Sequence, residues 1–398
     1  MDQSLHPRES PEITARLTHF LSMFTSELLS PPEQQDMLRI FQFLAGQCLG
    51  HEHAGQPWQS ALGVDGSPVE LSVAVDHGAP ISVRYIVDAQ HRPARLADVR
   101  STIGRNSVMV VPNYQERSEL LDTILQRHLA GRPEFTVPFV GHGLRATPGK
   151  GSSGRIYFKV QDLSREEVRR TLSRCMHPND LKALRSSCLS HLQATGVAYD
   201  FDASNLARIK IYFWTQGSAP EVGLTAAREF LGESCDSLAE LLEFISYRRH
   251  PLWVIPSILI GLGFRPQGGF LDVKLCLPLA RWGWRSFRQI MPVVTQILRK
   301  WGIDVNGTPP APSSQPPWRF QPSFLSCDRS LRGDSLSVYF VPVRNPTGLC
   351  SSDSLRYTPR KETSISTSGP RTKAIQSAIL QQMFDLLLDS DVCDGVAG

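Results

Sequence analysis

The chain has 398 residues, 41% of them hydrophobic and 20% charged, with a formal net charge of +4. That is enough for two ordinary domains or one large one of normal globular composition. No run of five like charges occurs, which excludes the clustered basic tracts of nucleic-acid-binding domains.

The first 17 residues lack a basic segment followed by an apolar one, so no secretory signal is expected. Residues 11–29 and a second stretch to about Cys48 show amphipathic helical spacing, a helical pair within residues 1–50. Ser30-Pro31-Pro32-Glu33 between them has the pattern of a capping box with prolines in the first turn. His51-Glu52-His53 has a spacing that can bind metal but reads as a surface loop.

From residue 60 onward, strand-like segments alternate with helical ones. Strands are expected over 61–75, 81–87, 135–144, 155–161, 207–215, 252–260, 271–277, 318–325 and 335–343. Helices are expected over 118–130, 165–176, 179–195, 224–231, 237–248, 284–301 and 372–388. The segment 252–262 is the longest apolar one, but Pro256 and Ser257 interrupt it and it is too short to span a bilayer. Two loops are predicted: 306–317, rich in Pro, Gly and Ser, and 344–371, polar and flexible, before the last helix. The eight cysteines are scattered without a CxxC pair, so reduced thiols in a cytoplasmic protein are the simplest reading.

Five strands share a character: ISVRYIV, RIYFKV, RIKIYF, DVKLCLP and SLSVYF. Their spacing of roughly 55 to 75 residues suggests an ααββ-like unit used several times. Residues two apart share a strand face. Arg208, Lys210, Tyr212 and Trp214 therefore lie together, opposite Ile209, Ile211 and Phe213; Arg155, Tyr157 and Lys159 lie opposite Ile156, Phe158 and Val160. The apolar faces can cover helices. The cationic faces then point to water, as on an open sheet, or into the lumen of a closed barrel. A single such strand is an ordinary solvated face; five of matching character favour the lumen.

In a lumen, Arg84, Arg155, Arg208, Lys210 and Lys274 would crowd together. Two like charges 4 Å apart repel by about 4 kcal/mol at an effective dielectric near 20. Such a cluster calls for an anion, and arginine and lysine suit phosphate oxygens. The interleaved tyrosines would stabilise a carbocation left behind by a departing diphosphate. Glu70, between Val69 and Leu71, faces opposite to both; on an inner face near the cations it could accept a proton or an N–H hydrogen bond, and the plainer readings are a salt bridge to an arginine or simple exposure.

The segment Trp58 to Ser72, with DGSPVELS at its centre, followed by Val83-Arg84-Tyr85 and by Arg208-Ile209-Lys210-Ile211-Tyr212, resembles the dimethylallyltryptophan synthase family, the aromatic prenyltransferases of fungi and bacteria. The resemblance runs from about residue 10 to the C-terminus. It implies a single α+β domain over residues 1–398: a ten-stranded antiparallel β-barrel surrounded by α-helices and built from αββα units. It implies transfer of a prenyl group from dimethylallyl diphosphate or a longer donor to an indole or tryptophan-derived acceptor, in secondary metabolism such as alkaloid biosynthesis. No metal or other cofactor would be required; the protein would be a monomer or homodimer with neither nucleic acid nor membrane as partner.

By the same resemblance, Glu70 takes or orients the indole N–H proton. Arg84, Arg155, Arg208, Lys210 and Lys274 hold the diphosphate. Tyr157, Tyr212 and Tyr339 form the shield around the prenyl cation. Cys276 stands where the family usually has a tyrosine, and Ser335 where some members have another. A thinner shield of this kind implies room for a longer prenyl chain or a bulkier acceptor. Two other readings are a non-catalytic barrel binding an anionic or phosphorylated small molecule, and an all-helical metal-dependent terpene synthase. The strand content and the lack of a DDxxD cluster oppose the latter.

Overall fold

The computed structural model describes residues 9–49, 60, 62, 67–77, 80–89, 96–130, 132, 139–160, 163–203, 205–215, 220–232, 258–279, 284, 286–305, 319–330, 333–343 and 370–389. In chain order these form α1 (Glu9–Thr25), α2 (Pro31–Ala45), β1 (Val69–Asp76), β2 (Ser82–Val87), α3 (Leu96–Val110), α4 (Ser118–Leu129), β3 (Val140–Thr147) and β4 (Gly151–Lys159). Then follow α5 (Arg165–Cys175), α6 (Pro178–Ser186), β5 (Ala194–Phe201), β6 (Leu206–Trp214), α7 (Pro220–Leu231), β7 (Leu259–Phe264) and β8 (Phe270–Pro278). The last are α8 (Phe287–Lys300), β9 (Arg319–Ser330), β10 (Gly333–Val343) and α9 (Pro370–Asp389).

All ten strands join one closed antiparallel barrel, each hydrogen-bonded to its chain neighbours, with β10 returning to β1. Closure removes the edges that an open sheet would expose. Helix pairs and strand pairs alternate along the first half of the chain, so the repeat expected from the sequence is present.

The ladder's two-residue period sorts the side chains. Outward residues such as Val69, Leu71, Val73, Ile156, Phe158, Ile209 and Ile211 are buried in the core between barrel and helices. Phe20 and Phe24 of α1 pack on Phe320 and Phe340, with ring centroids 4.2 Å apart for Phe20–Phe320 and 5.6 Å for Phe24–Phe340. Phe41 of α2 meets Tyr85 edge-on at 5.2 Å, and the Tyr85 hydroxyl donates to the Met37 carbonyl at 3.3 Å. Tyr85 therefore serves the helical layer, while its neighbour Arg84 faces the opposite way. The expected capping box starts α2: the Ser30 N–H donates to Glu33 Oε2 at 3.0 Å.

Three expectations are revised. The segment expected as helix through Thr195 stops as α6 at Ser186, and Ala194–Phe201 is strand β5. Its inward residues, Gly196, Ala198 and Asp200, are small or charged, which hid the alternation. β7 begins at Leu259 rather than near residue 252, and its inward positions are Gly261 and Gly263. β3 runs 140–147 rather than 135–144.

Helix α3 was not expected at all; it contains Gly104 and several β-branched residues that weaken intrinsic propensity. Tertiary packing stabilises it. Its last carbonyl, Val110 O, lies 1.7 Å from where a Cβ on Gly154 of β4 would sit, so only glycine admits that contact. The expected helix at 237–248, the loops at 306–317 and 344–371, and His51-Glu52-His53 lie outside the described residues, wholly or nearly so.

Two buried histidines sit outside the barrel. His128 of α4 stacks on Phe158, with centroids 4.1 Å apart, and its Nε2 lies 2.8 Å from the Tyr199 hydroxyl. His142 of β3 has Nε2 3.4 Å from the Ser107 hydroxyl. Burial lowers His128 to about 3, assisted by Arg132 and Arg127, and lowers His142 to about 4. Below their unfolded value near 6.5, the unfolded chain takes up protons that the folded one refuses.

Stability should therefore fall between pH 6.5 and pH 4, by up to about 1.4 kcal/mol per pH unit for each histidine. Denaturant melts across that range will show it, and His142→Asn should make the slope shallower. Gly154→Ala should cost about 2 kcal/mol or more through overpacking, read as a lowered melting temperature.

Candidate active site in the barrel lumen

The inward faces of β4, β5, β6, β8 and β9 carry an alternating chain of charge. Arg155 donates to Asp200 through Nε at 2.5 Å and through a terminal nitrogen at 2.9 Å. Asp200 also binds Arg208, whose Nε lies 2.7 Å away. Arg208 reaches Asp272 at 2.6 Å. Lys210 Nζ lies 2.6 Å from Asp272 Oδ1 as an ion pair, though not at a hydrogen-bonding angle, and donates to Asp328 at 3.0 Å. Lys274 donates to Asp328 at 3.2 Å and to the Tyr339 hydroxyl at 2.5 Å.

The chain crosses β7 because that strand has glycines there. A Cβ on Gly263 would lie 2.5 Å from the Asp272 carboxylate, and one on Gly261 would lie 3.0 Å from Lys210 Cε. The glycines that obscured β7 in the sequence are thus what let β6 and β8 touch across it.

The five expected anion-binding cations are brought together, but the picture of an uncompensated cluster is corrected. Three carboxylates, Asp200, Asp272 and Asp328, are interleaved with four of the five. Burial raises a carboxyl, yet Arg155 and Arg208 pull Asp200 far below its usual range, and Lys210, Lys274 and Arg84 do the same to Asp328. All three are ionised at neutral pH. Against burial, Asp328 and Tyr339 also hold the Lys274 ammonium above its usual range.

Arg84 stands at the open end of this arrangement. Ser72 of β1 pairs in register with Arg84 on one side and Tyr339 on the other. The Arg84 Nε is buried without a hydrogen-bond partner, as are the hydroxyls of Ser326 and Ser337, which face each other across β9 and β10. Burial raises the Tyr339 phenol, but Lys274 and Arg84 outweigh it and hold it below the ordinary tyrosine value. Beyond Arg84, Arg145 pairs with Asp76 at 2.8 Å; Arg84 and burial bring its guanidinium down to about 10.

One step along the strands lies an aromatic layer. Tyr157 and Tyr212 meet edge-on at 5.5 Å, and Phe139 adds to Tyr157 at 5.8 Å. Burial raises the Tyr157 phenol well above normal, so it is a neutral ring at physiological pH. Cys276 lies on the same face as Lys274, and burial lifts its thiol to about 11, so it too is neutral. Tyr339 sits with the cations, its ring 6.4 Å from Phe324.

Glu70 is buried on β1, two residues from Ser72, or about 7 Å along the strand. It accepts a hydrogen bond from Ser323 at 3.0 Å. Ser323 is the extra residue of a β-bulge: Tyr339 pairs with Phe324, and Phe340 with Pro322. The bulge turns the hydroxyl inward toward Glu70.

Sequence reasoning missed the three aspartates and Ser323. Asp272 shares strand parity with Lys274 and was available from that pattern. Asp200 lay between the helix expected to Thr195 and the strand expected from Ala207, in a stretch with no expected element, and Ser323 faces inward only because of the bulge. Among the described residues, no group of three or more His, Cys, Asp or Glu could hold a metal ion, and no helix is long and apolar enough to cross a membrane.

The bare Ser326 hydroxyl gives a stability test. Ser326→Ala should leave the melting temperature unchanged or raise it, since it removes a buried hydroxyl lacking a partner; a drop equivalent to 2 kcal/mol would contradict this.

Residues 15–131 match the family model described as tryptophan dimethylallyltransferase. The fold resembles that of prenyltransferase PriB, solved with L-tryptophan and dimethylallyl thiolodiphosphate, with a TM-score of 0.64, 17% identity, and coverage of 82% of this chain and 95% of that one. It also resembles 5-dimethylallyltryptophan synthase from Streptomyces coelicolor (TM-score 0.64, 16% identity, coverage 83% and 97%) and AnaPT from Neosartorya fischeri (0.58, 15%, 82% and 92%). A comparison with curated protein sequences finds no match. The resemblance read from the sequence is thereby borne out: residues 15–131 match the tryptophan dimethylallyltransferase family, and the barrel has the fold of the dimethylallyltryptophan synthase-type aromatic prenyltransferases.

Proposed function

We propose that this protein is an aromatic prenyltransferase that moves a prenyl group from a prenyl diphosphate to an indole-type acceptor, without a metal in the chemical step. The observation that carries the reading is the layering of the lumen: a charged girdle, then neutral aromatic rings, with a buried carboxylate beside them. The match of residues 15–131 to the family model supports it, as does the pairing of tryptophan with a donor analogue in the PriB complex.

Arg84, Arg155, Arg208, Lys210 and Lys274 hold the diphosphate. As the donor's C1–O bond breaks, its electron pair stays on the diphosphate, whose growing charge the cations stabilise. Tyr157 and Tyr212 present ring faces to the allylic cation and exclude water. A ring carbon of the acceptor forms the new C–C bond, and transfer of the ring proton to a base restores aromaticity. Glu70, fixed by Ser323, accepts the indole N–H hydrogen bond and sets the orientation of the ring.

Incubation with dimethylallyl diphosphate and tryptophan or a simple indole, with chelator present, should give a prenylated product. Lys210→Ala and Arg155→Ala should each lose at least a hundredfold in kcat/KM. Glu70→Gln should lower turnover at least tenfold while leaving donor binding intact; wild-type turnover would remove Glu70 from the mechanism.

Cys276 is smaller than the tyrosine that the family usually carries there, so donors of ten or fifteen carbons should be accepted beside the five-carbon one. Cys276→Tyr should narrow that range. A wild-type enzyme confined to five carbons would exclude the role of Cys276.

A further inference from the structure

The chain of ion pairs does more than hold cations in place. Five cations ring the girdle, namely Arg84, Arg155, Arg208, Lys210 and Lys274. Three carboxylates, Asp200, Asp272 and Asp328, lie within ion-pair distance of all but Arg84. Among the described residues of this girdle, five positive charges less three negative ones leave two. Lys210, Lys274 and Asp272 are almost wholly buried, so water screens these charges weakly.

Pairing with carboxylates stabilises buried cations in the empty barrel and also lowers the attraction of the lumen for a polyanion. A transferase must also let its leaving group go. Pyrophosphate carries more separated charge than the ester it comes from, so a site of five unopposed buried cations would hold the product more tightly than the donor.

Resting on the prenyl-transfer reading, we propose that Asp200, Asp272 and Asp328 are positioning residues that limit the attraction of the lumen for pyrophosphate and so set the rate of product release. Each carboxylate touches two cations, so it fixes their geometry and removes part of their charge together. Asp328 is the central member, because it bridges Lys210 and Lys274 and stands closest in the chain to Tyr339 and Arg84. The same count favours a diphosphate monoester over more highly charged anions such as a nucleoside triphosphate.

The test is pyrophosphate binding by titration calorimetry, together with steady-state kinetics, on wild type, Asp328→Asn and Asp200→Asn. Asparagine keeps the shape and removes the charge. At about 6 Å and an effective dielectric near 20, one unit charge is worth roughly a hundredfold in affinity for a singly charged partner; partial solvation brings the expected gain to about tenfold or more. Both variants should bind pyrophosphate more tightly. Their kcat should fall, their KM for the donor should fall with it, and product inhibition should strengthen.

A purely structural role would move these the other way, raising KM and weakening pyrophosphate. Asp328→Asn leaves buried Lys274 without a carboxylate and Lys210 with Asp272 alone, and so loses stability. Thermal melts with and without pyrophosphate cover that case, since the anion should raise the melting temperature of the variant more than that of wild type. Pyrophosphate affinity unchanged or weakened in both variants, with wild type binding normally, overturns the proposal alone. A wild type that binds no pyrophosphate overturns the proposal and the prenyl-transfer reading together.

Discussion

Seven ionised side chains can share the inside of a protein only if their signs alternate. Arg155, Asp200, Arg208, Asp272, Lys210, Asp328 and Lys274 do so, each touching the next. Removing one partner from such a pairing leaves a charge with neither water nor counter-ion, which is why buried pairs are strongly destabilising to break even when making them gains little. The chain reaches from β4 to β9 and ends on Tyr339 of β10. It therefore ties most of the barrel's circumference together from inside, while the helical layer holds it from outside.

That interior is possible because two constraints agree. Strand alternation sends apolar residues outward to α1, α2, α3 and the other helices, and polar ones inward. Closure then makes the inward face a lumen and leaves no edge. Departures from regularity occur where the lumen needs them. Gly261 and Gly263 clear a path for side chains to cross β7, and the bulge at Ser323 brings a hydroxyl to Glu70. The result is a graded interior: charge at one level, neutral rings at the next, and a carboxylate beside them. A reaction that separates an anion from a carbocation requires that order.

The compensation of charge changes how the lumen is understood. A reader who counts only arginines and lysines sees an anion trap. In the structure four of the five cations are compensated, and the Arg84 Nε and the Ser326 and Ser337 hydroxyls are buried polar atoms there without hydrogen-bond partners. Binding strength and product release pull in opposite directions on the same groups, and the aspartates lie between those demands.

Much of this could be read from the residues alone. Arg208-x-Lys210-x-Tyr212 and Arg155-x-Tyr157 state by their parity that cations and rings share one face, because side chains alternate on any strand. The capping box at Ser30 and the limits of α4 and α5 were legible for the same local reason. Strand β5, strand β7 and helix α3 were not. Their residues are small, glycine-rich or poor helix formers, and only packing against neighbours decides their state. The ion-pair partners were beyond reach as well: Asp200 and Arg155 are 45 residues apart, and Asp328 and Lys210 are 118 apart. Sequence sets which way each side chain points along its own strand. Which strand lies next to it, and so which charges meet, is decided only when the barrel closes.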